Sequence, residues 1–189
     1  TLEDMEHLSP VMKYIPDPII EACLKMKKPF KVSHITGIKS PYAEAEGWFV
    51  GCPLTAKQMV QLPEEFVMDR IIESGKVAQE LGAKIVGLGA FTSIVGDAGI
   101  TVAKNLDIAV TSGNSYTVAT AIQGTKEAAR MMGKDLKECR AVVVGATGSI
   151  GAASVRLLSK EVKRITLVAR HMGRLEELAQ ELIEQNHCE

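Results

Sequence analysis

The stretch from Ala141 to Ala152 narrows what this chain can fold into more than any other. Ala141 to Val144 are apolar and mostly β-branched, and predict a buried strand; a glycine-rich turn follows at once, then a segment fit to be a helix. The glycines fall as G-x-x-G-x-x-G at Gly145, Gly148 and Gly151. This is a variant of the dinucleotide-binding pattern. The first glycine allows a sharp turn at the strand end, the second lets backbone approach a pyrophosphate, and the third lets the helix pack tightly on the strand. First-turn amides and the positive end of the helix dipole then face the phosphates. The expected cofactor-binding set is therefore Gly145, Ala146, Thr147, Gly148, Ser149, Ile150 and Gly151.

A second strand, Arg164 to Ala169, follows at a spacing that suits a βαβ unit. NAD-binding units usually carry an acidic residue here to hold the ribose 2′-hydroxyl. This chain has Arg170 after Ala169, with His171 next and Arg174 a turn on. A cation at that point accommodates a 2′-phosphate, so the expected cofactor is NADP(H) rather than NAD(H), with Ala169 and Arg170 added to its site. The plainer alternative is that Arg170 merely opens a loop.

The 189 residues suffice for one large or two small domains, and 46% hydrophobic with 24% charged residues is an ordinary globular composition. A net charge of −1 gives no general affinity for nucleic acid or acidic membranes. No apolar run approaches the roughly 20 residues of a membrane span, and no secretory signal pattern is visible. Cys23, Cys52, Cys139 and Cys188 show no C-x-x-C pairing, and His7, His34, His171 and His187 are scattered. Free thiols in a reducing cytoplasm and no metal site are expected.

Along the chain, a helix is expected from Pro18 to Met26, strands from Phe30 to Ile35 and Gly47 to Cys52, and a turn from Gly37 to Pro41. Pro63, Glu64 and Glu65 open a clear helix, with Val67, Ile71, Ser74, Gly75, Ala78 and Leu81 near one face and Gly82 at its end. A strand from Lys84 to Leu88 leads into the loop Gly89 to Ile94. A short helix within Gly96 to Lys104, with Ile100, Val102 and Ala103 inward, precedes a strand from Asp107 to Val110. This helix–strand rhythm is that of a parallel α/β sheet. The polar loop Thr111 to Ser115 introduces a helix from Tyr116 to Met132, and helices are expected at Ser149 to Lys160 and Gly173 to Glu184. In open α/β sheets ligands bind beyond the carboxyl ends of strands, which makes Phe91, Thr92, Ser93 and Asn114 candidate substrate residues; ordinary turns and caps are the alternative.

The expected organisation is an N-terminal α/β substrate-side domain at 1–114, a connecting helix at 115–133, and an incomplete Rossmann-type NADP-binding domain at 134–189. A dinucleotide-binding sheet normally has about six strands. Here two are visible, so a longer natural chain is expected, together with an open sheet edge and an uncovered apolar face.

Four segments carry a family resemblance: Leu88 to Ile94, Thr111 to Thr117, Val142 to Gly151 and Leu167 to Arg170. Together they resemble the long-chain fatty acyl-(acyl carrier protein) reductases of cyanobacteria and relatives labelled predicted amino acid dehydrogenases, over about Trp48 to Leu182. In layout only, the chain is also similar to shikimate and methylene-tetrahydrofolate dehydrogenases. The resemblance implies an NADPH-dependent reduction of an acyl thioester, small or held on an acyl carrier, to an aldehyde through a cysteine that becomes acylated. It places that cysteine beyond this region, so the catalytic residue is unknown here and the piece alone is expected to be inactive. Cys52 stands where the family tends to carry cysteine; a small buried hydrophobe is the plainer reading. Two alternatives stay open: a dehydrogenase of a small amino or hydroxy acid, and a module that binds NADP(H) without turnover. The oligomeric state is open too, a homo-oligomer included.

Overall fold

The computed structural model describes residues 14–186, an α/β chain that divides into two compact units, one on either side of the step from Ser112 to Gly113. His7, Pro10, His187 and Cys188 lie outside the described residues.

In the first unit, α1 (Asp17–Met26) starts after Pro16 with Pro18 in its first turn, where a missing amide costs nothing, and buries Ile20. Next come β1 (Phe30–Lys39) and β2 (Glu44–Gly51), paired antiparallel from Phe30↔Gly51 to Lys39↔Glu44. The turn expected at Gly37 lies later. Gly37 has φ +76° and falls within a register shift between Ile35 and Ile38, so it is absorbed as an irregularity in the strand. The chain reverses at Ser40, whose Oγ accepts from the amides of Tyr42 and Ala43 and donates to the Ala43 carbonyl.

Two helices follow. The sequence reading missed α2 (Ala56–Gln61), although its signal is present as Thr55-x-x-Gln58. The Thr55 hydroxyl accepts the Gln58 amide at 3.1 Å, and the Gln58 side chain accepts the Thr55 amide at 3.1 Å. The long helix α3 (Glu64–Glu80) runs through the core. It buries Val67, Met68, Ile71, Ile72, Gly75 and Ala78 at helical spacing, against Leu54, Met59, Leu88 and Val102. Each such aliphatic side chain, fully buried, contributes about 1.5–3 kcal/mol. The short strands β3 (Ile85–Gly87) and β4 (Ala109–Thr111) pair in parallel, with α4 (Ile100–Lys104) between them. Of the three residues expected inward on α4 only Val102 is buried, and Ile100 is 57% exposed. A helix of little more than one turn presents one position to a core.

The second unit comprises α5 (Asn114–Met131), β5 (Arg140–Val144), α6 (Ser149–Leu158), β6 (Arg164–Val168) and α7 (Met172–Asn186). The two strands pair in parallel and in register, Arg140↔Arg164 to Val144↔Val168, forming a β–α–β unit with α6 as the crossover. Val143 and Ile165 join two apolar clusters, one with Val118, Ile122 and Leu158, the other with Val155, Leu178 and Leu182. The buried strand expected from Ala141 to Val144 is covered on one face only. Val143 turns inward, while Val142 and Val144 are 61% and 79% exposed. The helices draw on alternate residues of each strand, as the pleat requires. No helix among the described residues is long and apolar enough to cross a membrane.

Candidate functional site

The turn between β5 and α6 is built by backbone contacts that tolerate no side chain at its third glycine. Gly145 leaves the strand with φ +78°, a left-handed conformation that costs other residues roughly 1–2 kcal/mol. Its carbonyl points back at α6, and a Cβ on Gly151 would collide with that carbonyl oxygen. At Gly148 a Cβ would stand 3.3 Å from the same oxygen. The helix therefore starts as close to the strand end as backbone permits.

The turn's hydrogen bonds divide its amides into two groups. Gly145 and Ala146 both donate to the Val168 carbonyl, at 2.8 and 3.1 Å, and Gly148 donates to the Gly145 carbonyl at 3.0 Å. Those three hold the turn to the sheet, and the fully buried Ala146 side chain packs with Val155, Leu178 and Leu182. Ser149, Ile150 and Gly151 open the first turn of α6, where a helix offers its own amides no acceptor. The N-cap is Gly148, so no side chain satisfies them. This leaves a cradle of backbone donors at a positive helix end, with glycine where bulk would block it. The arrangement fits a diphosphate. Thr147 borders a hollow of about 260 Å³, also lined by Arg156, Arg174, Glu177 and Glu181. Arg156 is committed there to Glu181 by two bonds of 2.6 and 2.7 Å, which hold the carboxyl below and the guanidinium above their ordinary ranges.

Beyond β6, Ala169 is half-buried and Arg170 exposed. No hydrogen bond or ion pair holds the Arg170 side chain among the described residues. Asn114, expected on the substrate side, opens α5 in the same unit as the glycine turn, and its Nδ2 donates to Ser149 Oγ at 2.8 Å. The two residues are 35 positions apart, and no local pattern foretells that bond.

Phe91, Thr92 and Ser93 belong to the first unit, in a 3₁₀ turn spanning Ala90–Ser93. Thr92 Oγ1 accepts the Gly89 amide at 3.1 Å and donates to the Gly89 carbonyl at 2.7 Å. Ser93 Oγ donates to the Ala90 carbonyl at 2.7 Å. Ala90 itself has φ +48°, rare for a residue with a side chain. Thr92 also borders a cavity of about 740 Å³ in the first unit, shared with Trp48, Phe49, Cys52, Ser74 and Leu88. Burial pushes the Cys52 thiol up, against the lowering pull of a hydrogen bond with Ser74 and of the Arg70 charge. A thiol kept protonated is a poor nucleophile. Among the described residues no group of three His, Cys, Asp or Glu is placed to hold a metal ion.

No family model matches the chain. Over 129 residues it is 32% identical to a long-chain acyl-(acyl-carrier-protein) reductase of Synechococcus elongatus, a match that takes in 60% of this chain. The chain is related to that reductase. It spans 36% of the reductase's length. It is also 33% identical, over 128 residues and 68% of its length, to the aminotransferase PigE of a Serratia species, of which it spans 14%. Both relatives are named as enzymes, with different chemistries, and each is matched through a part of its length well under half.

Proposed function

We propose that this chain is the NADP(H)-binding region of an oxidoreductase that reduces an acyl thioester to an aldehyde. The carrying observation is the start of α6: three first-turn amides, a glycine N-cap with no capping side chain, and a third glycine that admits nothing larger. In this reading the amides of Ser149, Ile150 and Gly151 hold the pyrophosphate. Thr147 flanks it, while Gly145, Ala146 and Gly148 shape the turn. Arg170, exposed at the end of β6 next to Ala169, meets the 2′-phosphate as a free guanidinium. When bound, the nicotinamide supplies the hydride; the protein's part is to position it.

The relation to an acyl-carrier-protein reductase supports an acyl thioester as the substrate class. The first-unit cavity lies within the roughly 300–1,000 Å³ usual for small-molecule sites. Phe91, at 38% exposure, offers its loop apolar surface, while the Thr92 and Ser93 protons are already spent on carbonyls. A second reading is an NADP(H)-binding module without turnover; the resemblance places the acylated cysteine outside this region, so the raised Cys52 thiol is compatible with both readings.

Titration of the purified chain with NADPH and NADH, followed by coenzyme fluorescence, tests the proposal. Saturable binding with NADPH the tighter ligand is expected; no binding of either coenzyme overturns it.

A further inference from the structure

An asparagine at the first position of a helix ordinarily serves its own helix end or stays in solvent. Asn114 does neither. It follows Gly113, whose φ of +72° swings the chain into α5, and its side-chain amide crosses to Ser149, the first residue of α6. The two helices are packed together through Val118, Ile122, Ala153 and Leu158, so their starts are held side by side and bridged by this bond. A serine hydroxyl has one proton to give and two lone pairs to accept with. Ser149 accepts from Asn114 Nδ2, and no acceptor for its own proton lies among the described residues. Its lone pair is engaged on the α5 side and its proton remains to be donated, at the mouth of the glycine turn.

We infer that Asn114 is a positioning residue for the anion site. By occupying a lone pair of Ser149 Oγ, it aims the serine proton at the diphosphate, adding a side-chain donor to the backbone amides. The inference rests on the dinucleotide reading of the turn. It assigns Asn114 to the phosphate end of the ligand. It also makes nitrogen, not oxygen, the atom that must face Ser149.

The test is NADPH titration of the full chain carrying single and paired substitutions, each with its thermal midpoint. Ser149→Ala is expected to weaken binding about tenfold, the scale of one hydrogen bond to a charged group, and Ser149→Thr to retain affinity. Asn114→Ala should weaken binding by nearly as much as Ser149→Ala. The double variant Asn114→Ala, Ser149→Ala should bind no more weakly than Ser149→Ala alone, because both changes remove the same donor. Asn114→Asp keeps the shape but puts oxygen at both positions; it draws the serine proton away from the ligand and should weaken binding with an unchanged midpoint. Wild-type affinity in Asn114→Ala and Asn114→Asp overturns the inference, as does a double variant whose losses multiply. If Gly148→Asp binds like the wild type, the dinucleotide reading fails first. If Gly148→Asp abolishes binding while the Asn114 variants bind normally, only the present inference fails.

Discussion

Two loops leave parallel strands in this molecule, one after β3 and one after β5, and they spend their polar groups in opposite ways. After β3, the Thr92 and Ser93 hydroxyls turn back onto the carbonyls of Gly89 and Ala90, and the Gly89 amide is taken up by Thr92. The loop satisfies itself, even at the expense of a left-handed Ala90. After β5, side chains do almost none of this work. Three amides anchor the turn to β6 and to itself, and the next three stand at a helix start capped by glycine. Both loops lie beyond a parallel strand; what separates them is the uncapped first turn of α6, whose amides a helix end offers to an anion in the function proposed above.

The sharpest way to break that contrast is Gly148→Asp. A carboxylate at the N-cap competes with phosphate for the same amides, and NADPH affinity should fall more than about 100-fold, near 3 kcal/mol. Retained affinity in a fluorescence titration would make the two loops alike. Gly151→Ala probes the close approach instead. Its methyl meets the Gly145 carbonyl, and the second unit should lose about 3 kcal/mol of stability in urea unfolding followed by circular dichroism. Arg170→Asp sharpens the ligand's identity: the preference for NADPH over NADH should shrink by about tenfold or reverse, and an unchanged ratio would remove the 2′-phosphate from the account. Thr92→Val addresses the self-satisfied loop. It should cost the first unit about 1 kcal/mol, read through Trp48, the chain's single tryptophan, and leave NADPH affinity as it was. The smallest effect concerns Cys52. Its raised pKa leaves little thiolate at neutral pH, so iodoacetamide should label it more slowly than the exposed Cys23, with the rate climbing as the pH turns alkaline.

Much of the fold is legible in local pattern. The spacing of Val67, Ile71, Gly75 and Ala78 marks α3, and all four are buried. Helix α7 is likewise foreshadowed by Leu175, Leu178 and Leu182. Errors arise where a local cue has two physical outcomes. Gly37 suggested a turn and is a strand irregularity, because glycine serves both. In the run Ala141 to Val144 hydrophobicity marks a strand without saying which face is covered; Val142 and Val144 form the uncovered apolar face expected of a two-stranded sheet. Helix α2 is marked locally by its Thr55–Gln58 capping box alone, because six residues carry too little periodicity to define a helix face.

At the glycine turn the division falls differently. The residue types alone decide that a strand must end in a sharp turn and feed a helix, because the absence of side chains at Gly145, Gly148 and Gly151 is a covalent property of the chain. Which amides remain free, and that Asn114 serves Ser149, was decided only by tertiary structure. Val168 takes two of the turn's donors only once β6 lies beside β5, and α5 brings Asn114 to α6 only once the two helices pack. Hydrogen bonds between residues far apart in the chain follow from packing, and local spacing contains no term for it.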